Sequence, residues 1–362
     1  MQINEFKLFL NLHFDKILME IKHIRQFNRA SVEKCANLDK MPEAFFLQNE
    51  NGAKLQVMTY GATVTSLKIP LENEVVDVVL GFNSLQDYVD SFSLPNAPYF
   101  GAVVGRYAGR IANGKFNLNG KAFHLNKNNG NHSLHGGNTG LSRVDWKVKS
   151  VRDNVNPSIT LKYVSPDWED NYPGDLTVEL TYTLSEQNEL IVEYKATSTE
   201  DTIINLTHHS YFNLDRHDSD VTNQDLYVNS GNVLETDSEN IPTGRVLNTD
   251  GTAFDFSSPK KCPSKIDNTF VLNEELAATL FSKNNNLQLS VYTNQPAVHI
   301  YVGGNCFNKI KGKEDADYHQ TSGICFETQN FPDAPNHPNF PDSVLRKGET
   351  YYHKTIYKFD IK

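Results

Sequence analysis

From about Glu43 onward the chain is written in short runs rich in Val, Ile, Thr, Tyr and Phe, cut apart by turn-forming pairs. Residues 54–60, 75–80, 115–118, 158–164, 176–184, 189–196, 287–293 and 298–302 are such runs. Between them fall Asn51-Gly52, Asn113-Gly114, Asn119-Gly120, Asn129-Gly130, Pro173-Gly174 and Asp250-Gly251. β-Branched and aromatic residues suit a pleated surface, and Asn-Gly supplies the positive φ of a tight hairpin. Helical periodicity in this region is confined to Leu272–Phe281. A chain with this punctuation folds as an all-β sandwich or barrel, and without internal repeats or linkers one large domain over 41–362 is expected.

Residues 1–40 differ. Leu10, Phe14, Ile17, Leu18, Ile21, Ile24 and Phe27 recur mostly at spacings of three and four, which predicts a short amphipathic helical extension. Packing of that helix on its own domain is the expectation; docking elsewhere is the alternative.

The net charge of −10 excludes the positive field that nucleic acid or an anionic membrane surface requires. No apolar run approaches the ~20 residues needed to span a bilayer, and the start of the chain carries no clean leader cleavage signature. Cys35, Cys262, Cys306 and Cys325 form no CxxC pair, so neither a zinc ribbon nor a redox motif is visible, and a cytoplasmic location is expected. The aromatic content, 21 Phe and 16 Tyr against 2 Trp, suits strands and also sugar-stacking surfaces.

Five stretches carry residues able to do chemistry. Asn205–Leu214, read with period two, has Asn205, Thr207, His209 and Tyr211 on one face and Ile204, Leu206, His208 and Phe212 on the other. The first face suits either a pocket wall centred on His209 or a solvent-exposed side. In Gly105-Arg106-Tyr107-Ala108-Gly109-Arg110, Arg106 offers a rigid fork of donors for hydroxyls or anions, or a salt bridge at a strand end. Asn129-Gly130-Asn131-His132-Ser133-Leu134-His135-Gly136-Gly137 places His135 in a close-approach loop. The His132/His135 spacing hints at a metal, but no carboxylate or cysteine lies nearby to complete a site, and none is expected. Asp267 opens an apolar run and either accepts hydrogen bonds from a ligand or caps the next element. Glu327 lies mid-strand between Cys325 and Gln329 on one face, with Ile324 and Phe326 at the alternate positions. A carboxylate in such company is either paired or used as a base.

These residues sit in motifs that resemble, together and in order, the aldose 1-epimerase (galactose mutarotase) family. The motifs are Tyr60-Gly61-Ala62-Thr63, Val79-Leu80-Gly81-Phe82, Gly105-Arg106 with Arg110-Ile111, Leu134-His135-Gly136-Gly137, Tyr172-Pro173-Gly174-Asp175-Leu176, Asn205–Leu214, Phe326-Glu327-Thr328-Gln329 and Leu345-Arg346. The resemblance implies a large antiparallel β-sandwich, often called a supersandwich, with no metal or organic cofactor. It implies interconversion of the α and β anomers of free aldohexoses such as galactose and glucose, a small-molecule sugar being the partner. Glu327 matches the family's general base and His209 its general acid. Arg106, His135 and Asp267 match sugar-binding residues, and Gln295 lies at a further pocket position that varies among members. His208 departs from the Asn usual at that position and is expected to be structural, because period two turns it away from His209. A non-catalytic sugar-binding sandwich and an epimerase of phosphorylated hexoses are the alternatives. The sequence is compatible with both a monomer and a homodimer.

Overall fold

The computed structural model describes residues 31–34, 42–304 and 310–362, with the side chains of 31–34 excepted. The amphipathic stretch expected at 10–27 lies outside the described residues.

The fold is an antiparallel β-sandwich. A nine-stranded sheet runs in the order 147–152, 158–165, 176–184, 189–198, 351–361, 287–293, 276–281, 225–228, 260–261. Against it packs a six-stranded sheet in the order 211–212, 324–329, 297–302, 266–271, 232–236, 242–248. A five-stranded sheet of residues 31–34, 44–48, 54–58, 63–70 and 75–77 flanks them. Ser31–Lys34 therefore belongs to a sheet of the sandwich, pairing antiparallel with Phe45–Gln48, although it falls within the first forty residues.

Alternation explains the core. Along Leu176–Leu184 and Glu189–Ser198 every second side chain is buried: Leu176, Val178, Leu180, Tyr182 and Leu184, then Leu190, Val192, Tyr194 and Ala196. From the facing sheet come Phe270, Val298, Ile300, Ile324 and Phe326. Polar links cross between the sheets as well. The Tyr357 hydroxyl donates to the Phe326 carbonyl at 3.0 Å, and the Thr328 and Thr355 hydroxyls meet at 2.5 Å. The core faces of 266–271, 297–302 and 324–329 thus point into the sandwich, and their opposite faces are free to build a site.

Two expectations fail locally. Leu276–Phe281 is a strand, not part of a helix, because 225–228 and 287–293 on either side supply ladder hydrogen bonds that override the helix preference of Ala277 and Ala278. The one α-helix among the described residues, Leu85–Ser91, is announced only by its cap: Ser84 Oγ accepts from the Asp87 N–H and donates back to the Asp87 carboxylate.

Two core histidines make the fold acid-sensitive. Burial lowers the pKa of both His208 and His353 to about 3, with the charge of His209 adding to the effect on His208. His208 Nε2 meets Ser210 Oγ at 2.7 Å, and His353 Nε2 meets Thr355 Oγ1 at 2.9 Å and Thr328 Oγ1 at 3.1 Å. Between the ordinary histidine range and about pH 3 the unfolded chain binds a proton that the folded chain does not, so stability is lost as pH falls. The slope is about 1.4 kcal/mol per pH unit for each histidine. His353→Gln is therefore expected to flatten the dependence of unfolding free energy on pH between pH 6 and pH 5 by about that amount, measured by urea titration. An unchanged slope refutes the assignment.

Candidate active site

The cavity of about 470 Å³ sits on the outer face of the six-stranded sheet. Register places its floor. Thr269, His299 and Glu327 are cross-strand partners in one row, and Asp267, Tyr301 and Cys325 in the next. Ile324 and Phe326 face the core, so Glu327 and Gln329 face the cavity.

The stretch 205–214 is not one strand but two short pairs, Thr207–His208 and Tyr211–Phe212, with a third, Thr202–Ile203, just before it, each bonded to a different partner. Its polar face is buried and bonded rather than solvated. Asn205 Nδ2 donates to the carbonyls of Ala108 and Asn330, and its Oδ1 accepts from the Asn330 N–H at 2.8 Å. Thr207 Oγ1 donates to the Thr328 carbonyl at 2.9 Å. These bonds lay the stretch across the strand that carries Glu327. Backbone bonds between His209 and residues 101 and 102 hold it from the other side. His209 Nε2 lies 3.4 Å from Glu327 Oε1, and its Nδ1 lies 3.7 Å from Cys325 Sγ. Both His209 and Glu327 are buried, 5% and 3% exposed, yet both line the cavity.

His135 joins them through strained loop geometry. Its φ of 53° is left-handed, as is the 56° of Tyr99 beside it. Gly136 permits this: a Cβ there would lie 1.9 Å from the Gly105 carbonyl oxygen. His135 Nδ1 accepts from the Gly109 N–H at 3.3 Å, which puts the ring proton on Nε2. Burial, then the charges of His209, Arg110 and His299, push its pKa well below the ordinary range, so it is a neutral donor. The Tyr99 ring packs edge-on to His135 at 5.1 Å and tilted to His209 at 5.8 Å, with Arg143 above it at 5.9 Å.

Asp267 is at the cavity, mid-strand rather than at a cap. Its Oδ1 is 3.0 Å from His299 Nε2 and its Oδ2 accepts from Asn240 Nδ2 at 3.2 Å. Burial raises its pKa, but the hydrogen bond and charge of His299 outweigh this and the net shift is downward. His299 shifts the other way. Burial opposes its charge, but the bond to Asp267 and the charges of Glu327 and Asp267 win and raise it. His299 escaped sequence reading because its role depends on a partner in the neighbouring strand.

Two expected positions are corrected. Arg106 does not reach the cavity. It is 2% exposed and all its donors are taken: Nε by Ser165 Oγ, Nη1 by the carbonyls of Pro173 and Gly174, Nη2 by those of Ser165 and Pro166. The arginine at the cavity is Arg110, whose Nε donates to Asn129 Oδ1 at 3.1 Å. Gln295 does not line the cavity either. It lies in the turn after Leu287–Thr293, its Nε2 donating to Asn294 Oδ1. The glutamine that does face in is Gln329, whose buried Oε1 has no hydrogen-bond partner.

Metal-ligand geometry does not follow the His132/His135 spacing. His132 Nε2 faces Glu239 Oε1 at 3.5 Å. Among the described residues the group with three potential ligand atoms mutually within 4.8 Å is His209, Cys325 and Glu327.

Residues 43–358 match the family model described as aldose 1-epimerase. The galactose mutarotase of Homo sapiens is 39% identical over 333 residues, covering 88% of this chain and 94% of the relative. The aldose 1-epimerase of Escherichia coli (strain K12) is 33% identical, covering 86% and 94%. Among solved structures, an aldose epimerase homologue from C. elegans superposes with a TM-score of 0.80 at 30% identity, covering 92% of this chain and 99% of the other. A galactose 1-epimerase from Lactobacillus acidophilus NCFM superposes with a TM-score of 0.79 at 29% identity, covering 92% and 98%.

Proposed function

The chain belongs to the aldose 1-epimerase family, and on that premise we infer that its cavity holds the anomeric centre of an aldohexose between Glu327 and His209. The protein is an enzyme, a mutarotase that interconverts the α and β anomers of free aldohexoses such as galactose and glucose. The observation that carries the site reading is the buried pair His209 Nε2 and Glu327 Oε1, 3.4 Å apart at the floor of the cavity. The hydroxyl oxygen and the ring oxygen of a pyranose are both bonded to C1, so two groups this close can address both at once.

In this reading Glu327 is ionised and removes the proton of the C1 hydroxyl, while protonated His209 donates from Nε2 to the ring oxygen. The C1–ring oxygen bond breaks and the C1 carbonyl forms, leaving a neutral carboxyl, a neutral imidazole and the open aldehyde. Rotation about C1–C2 turns the other carbonyl face inward, and the reverse transfers close the ring as the other anomer. The two enzyme groups lose opposite charges together and the site's net charge is unchanged throughout, which suits a buried setting.

Binding falls to His135 Nε2 as a neutral donor, Arg110 as a charged donor, Asp267 as an ionised acceptor held by His299 and Asn240, and the unpaired Oε1 of Gln329. Tyr99 and Phe92 offer aromatic faces at the cavity wall. Among the described residues no helix is long and apolar enough to cross a membrane. Catalysis in the cytoplasm by the unit 41–362 fits the buried thiols of Cys262 and Cys325.

Polarimetry of freshly dissolved α-galactose and α-glucose tests the reading. The protein is expected to speed relaxation to the same final rotation. Sugar binding with an unchanged rate points to a non-catalytic sandwich instead, and acceleration confined to hexose phosphates points to phosphorylated substrates.

A further inference from the structure

We propose that His209, Cys325 and Glu327 form a binding site for one thiophilic divalent cation, Zn²⁺ or Cd²⁺, whose occupancy reversibly shuts the active site. The inhibitory half of this rests on the mutarotase reading above; the site itself does not.

The three donors come from two crossing segments. Cys325 and Glu327 stand two residues apart on one face of Ile324–Gln329, and Tyr211 pairs with Cys325, which brings His209 over both. One ligand atom of each lies within 4.8 Å of the others. With Nε2 as the nitrogen ligand, its separation from Glu327 Oε1 is 3.4 Å; the 3.7 Å contact of Cys325 Sγ is to the other ring nitrogen, Nδ1, so the sulfur must turn from Nδ1 toward the Nε2 side to join the ion. Bonds of about 2.0–2.3 Å around tetrahedral zinc set ligand–ligand edges of about 3.3–3.6 Å. The carboxylate–imidazole edge already has that length, and the sulfur needs to close by about an ångström. All three side chains are buried, so little ordering remains to be done on binding.

Donor chemistry selects the ion. A sulfur, an imidazole nitrogen and a carboxylate oxygen favour Zn²⁺ or Cd²⁺ over the hard cations Mg²⁺ and Ca²⁺. With three protein ligands, a fourth position is left toward the cavity for water. A bound ion would hold the Glu327 oxygen and the His209 nitrogen through which the protons move. Its effect is therefore inhibition, competitive with sugar, and binding releases the thiol proton of Cys325 and the proton of the ligating His209 nitrogen.

The experiment uses the full chain, stripped with chelator. Zn²⁺ alone is titrated by calorimetry, and Co²⁺ alone is read for the near-ultraviolet band of a thiolate–cobalt bond, both without sugar. Mutarotation is then assayed with Zn²⁺, Cd²⁺ and Mg²⁺. Expected are one Zn²⁺ per chain, the cobalt band, and inhibition by Zn²⁺ and Cd²⁺ but not Mg²⁺ that chelator reverses. Cys325→Ser should lose the band and need at least about tenfold more Zn²⁺ for half-inhibition relative to its own uninhibited rate. Glu327→Gln, read by calorimetry and cobalt spectrum only, should weaken binding while keeping the band. Zn²⁺ inhibiting Cys325→Ser at the wild-type concentration, or no cobalt band in the wild type, overturns the proposal. A protein that speeds mutarotation but holds no ion at Cys325 sinks the metal site and leaves the mutarotase reading standing. Ion bound at Cys325 by a protein without mutarotase activity supports the site and sinks that reading.

Discussion

Glu327→Gln is expected to lower kcat for galactose mutarotation by about 10²–10⁴-fold, the usual contribution of one positioned proton transfer, with KM changed little. The amide keeps the size and hydrogen-bonding capacity of the carboxylate, so the sugar still has its partners, but an amide does not take the proton of the C1 hydroxyl. Cavity position supports the assignment, since Glu327 is the carboxylate within 4 Å of His209. A second readout separates loss of the base from damage to the site. The Glu327 charge helps raise the His299 pKa, so that pKa should fall in the variant, followed by NMR titration. Because Glu327 and His209 act on the same bond in one step, removing His209 as well should cost far less than the product of the two single losses. A Glu327→Gln enzyme that turns over near the wild-type rate would mean that another group takes the proton.

The fold and the centre of the site were legible for one reason: period-two alternation is a local signal. Lys115–Leu118, Leu176–Leu184 and Leu287–Thr293 are strands where the composition of each run and its flanking turns demand them. The same alternation sets Glu327 and Cys325 on the face opposite Ile324 and Phe326. It also turns His208 into the core, where it meets Ser210 and Tyr182, and His209 toward the cavity. What was not legible depends on partners distant in sequence. Asn205 and Thr207 read as a polar face, and whether water or protein satisfies them is decided by the carbonyls of residues 108, 328 and 330. His299 owes the rise of its pKa to Asp267, thirty-two residues earlier, and to Glu327, through a register that no run of residues specifies. Gln295 and Gln329 are chemically alike, but one falls in a turn and the other on the cavity face. Ala277 and Ala278 prefer a helix in isolation and lie in a strand because two neighbours demand it.

The two arginines of Gly105–Arg110 give the sharpest contrast between sequence and structure, and the second large prediction. They are four residues apart and chemically identical, and the resemblance points to Arg106 as the sugar ligand. Arg106 points into a cage of the Ser165, Pro166, Pro173 and Gly174 carbonyls and the Ser165 hydroxyl, with the Tyr172 ring 5.8 Å away. Burial lowers its pKa against the raising charges of Glu169, Tyr172, Asp167 and Asp175, a sign of a cation retained for its bonds. The Tyr172-Pro173-Gly174 motif and the Gly105-Arg106 motif are thus two halves of one clamp. Arg106→Ala leaves that cage of acceptors buried and unpaired, and should cost about 3–5 kcal/mol of unfolding free energy, because several buried acceptors lose a charged donor at about 1–3 kcal/mol each. Against a total of about 5–15 kcal/mol that is a large share, visible as a fall in the urea midpoint at unchanged slope. At temperatures where the variant stays folded, its KM should remain near wild type. Arg110→Ala should behave oppositely. Its Nε is held by Asn129 and its guanidinium lies at the cavity, so stability changes little. Losing a charged hydrogen bond of about 1.5–3 kcal/mol to the sugar should lower kcat/KM by about one to two powers of ten. If Arg106→Ala instead raises KM with the urea midpoint unmoved, the guanidinium reaches the sugar after all, and the division of labour between the two arginines is reversed.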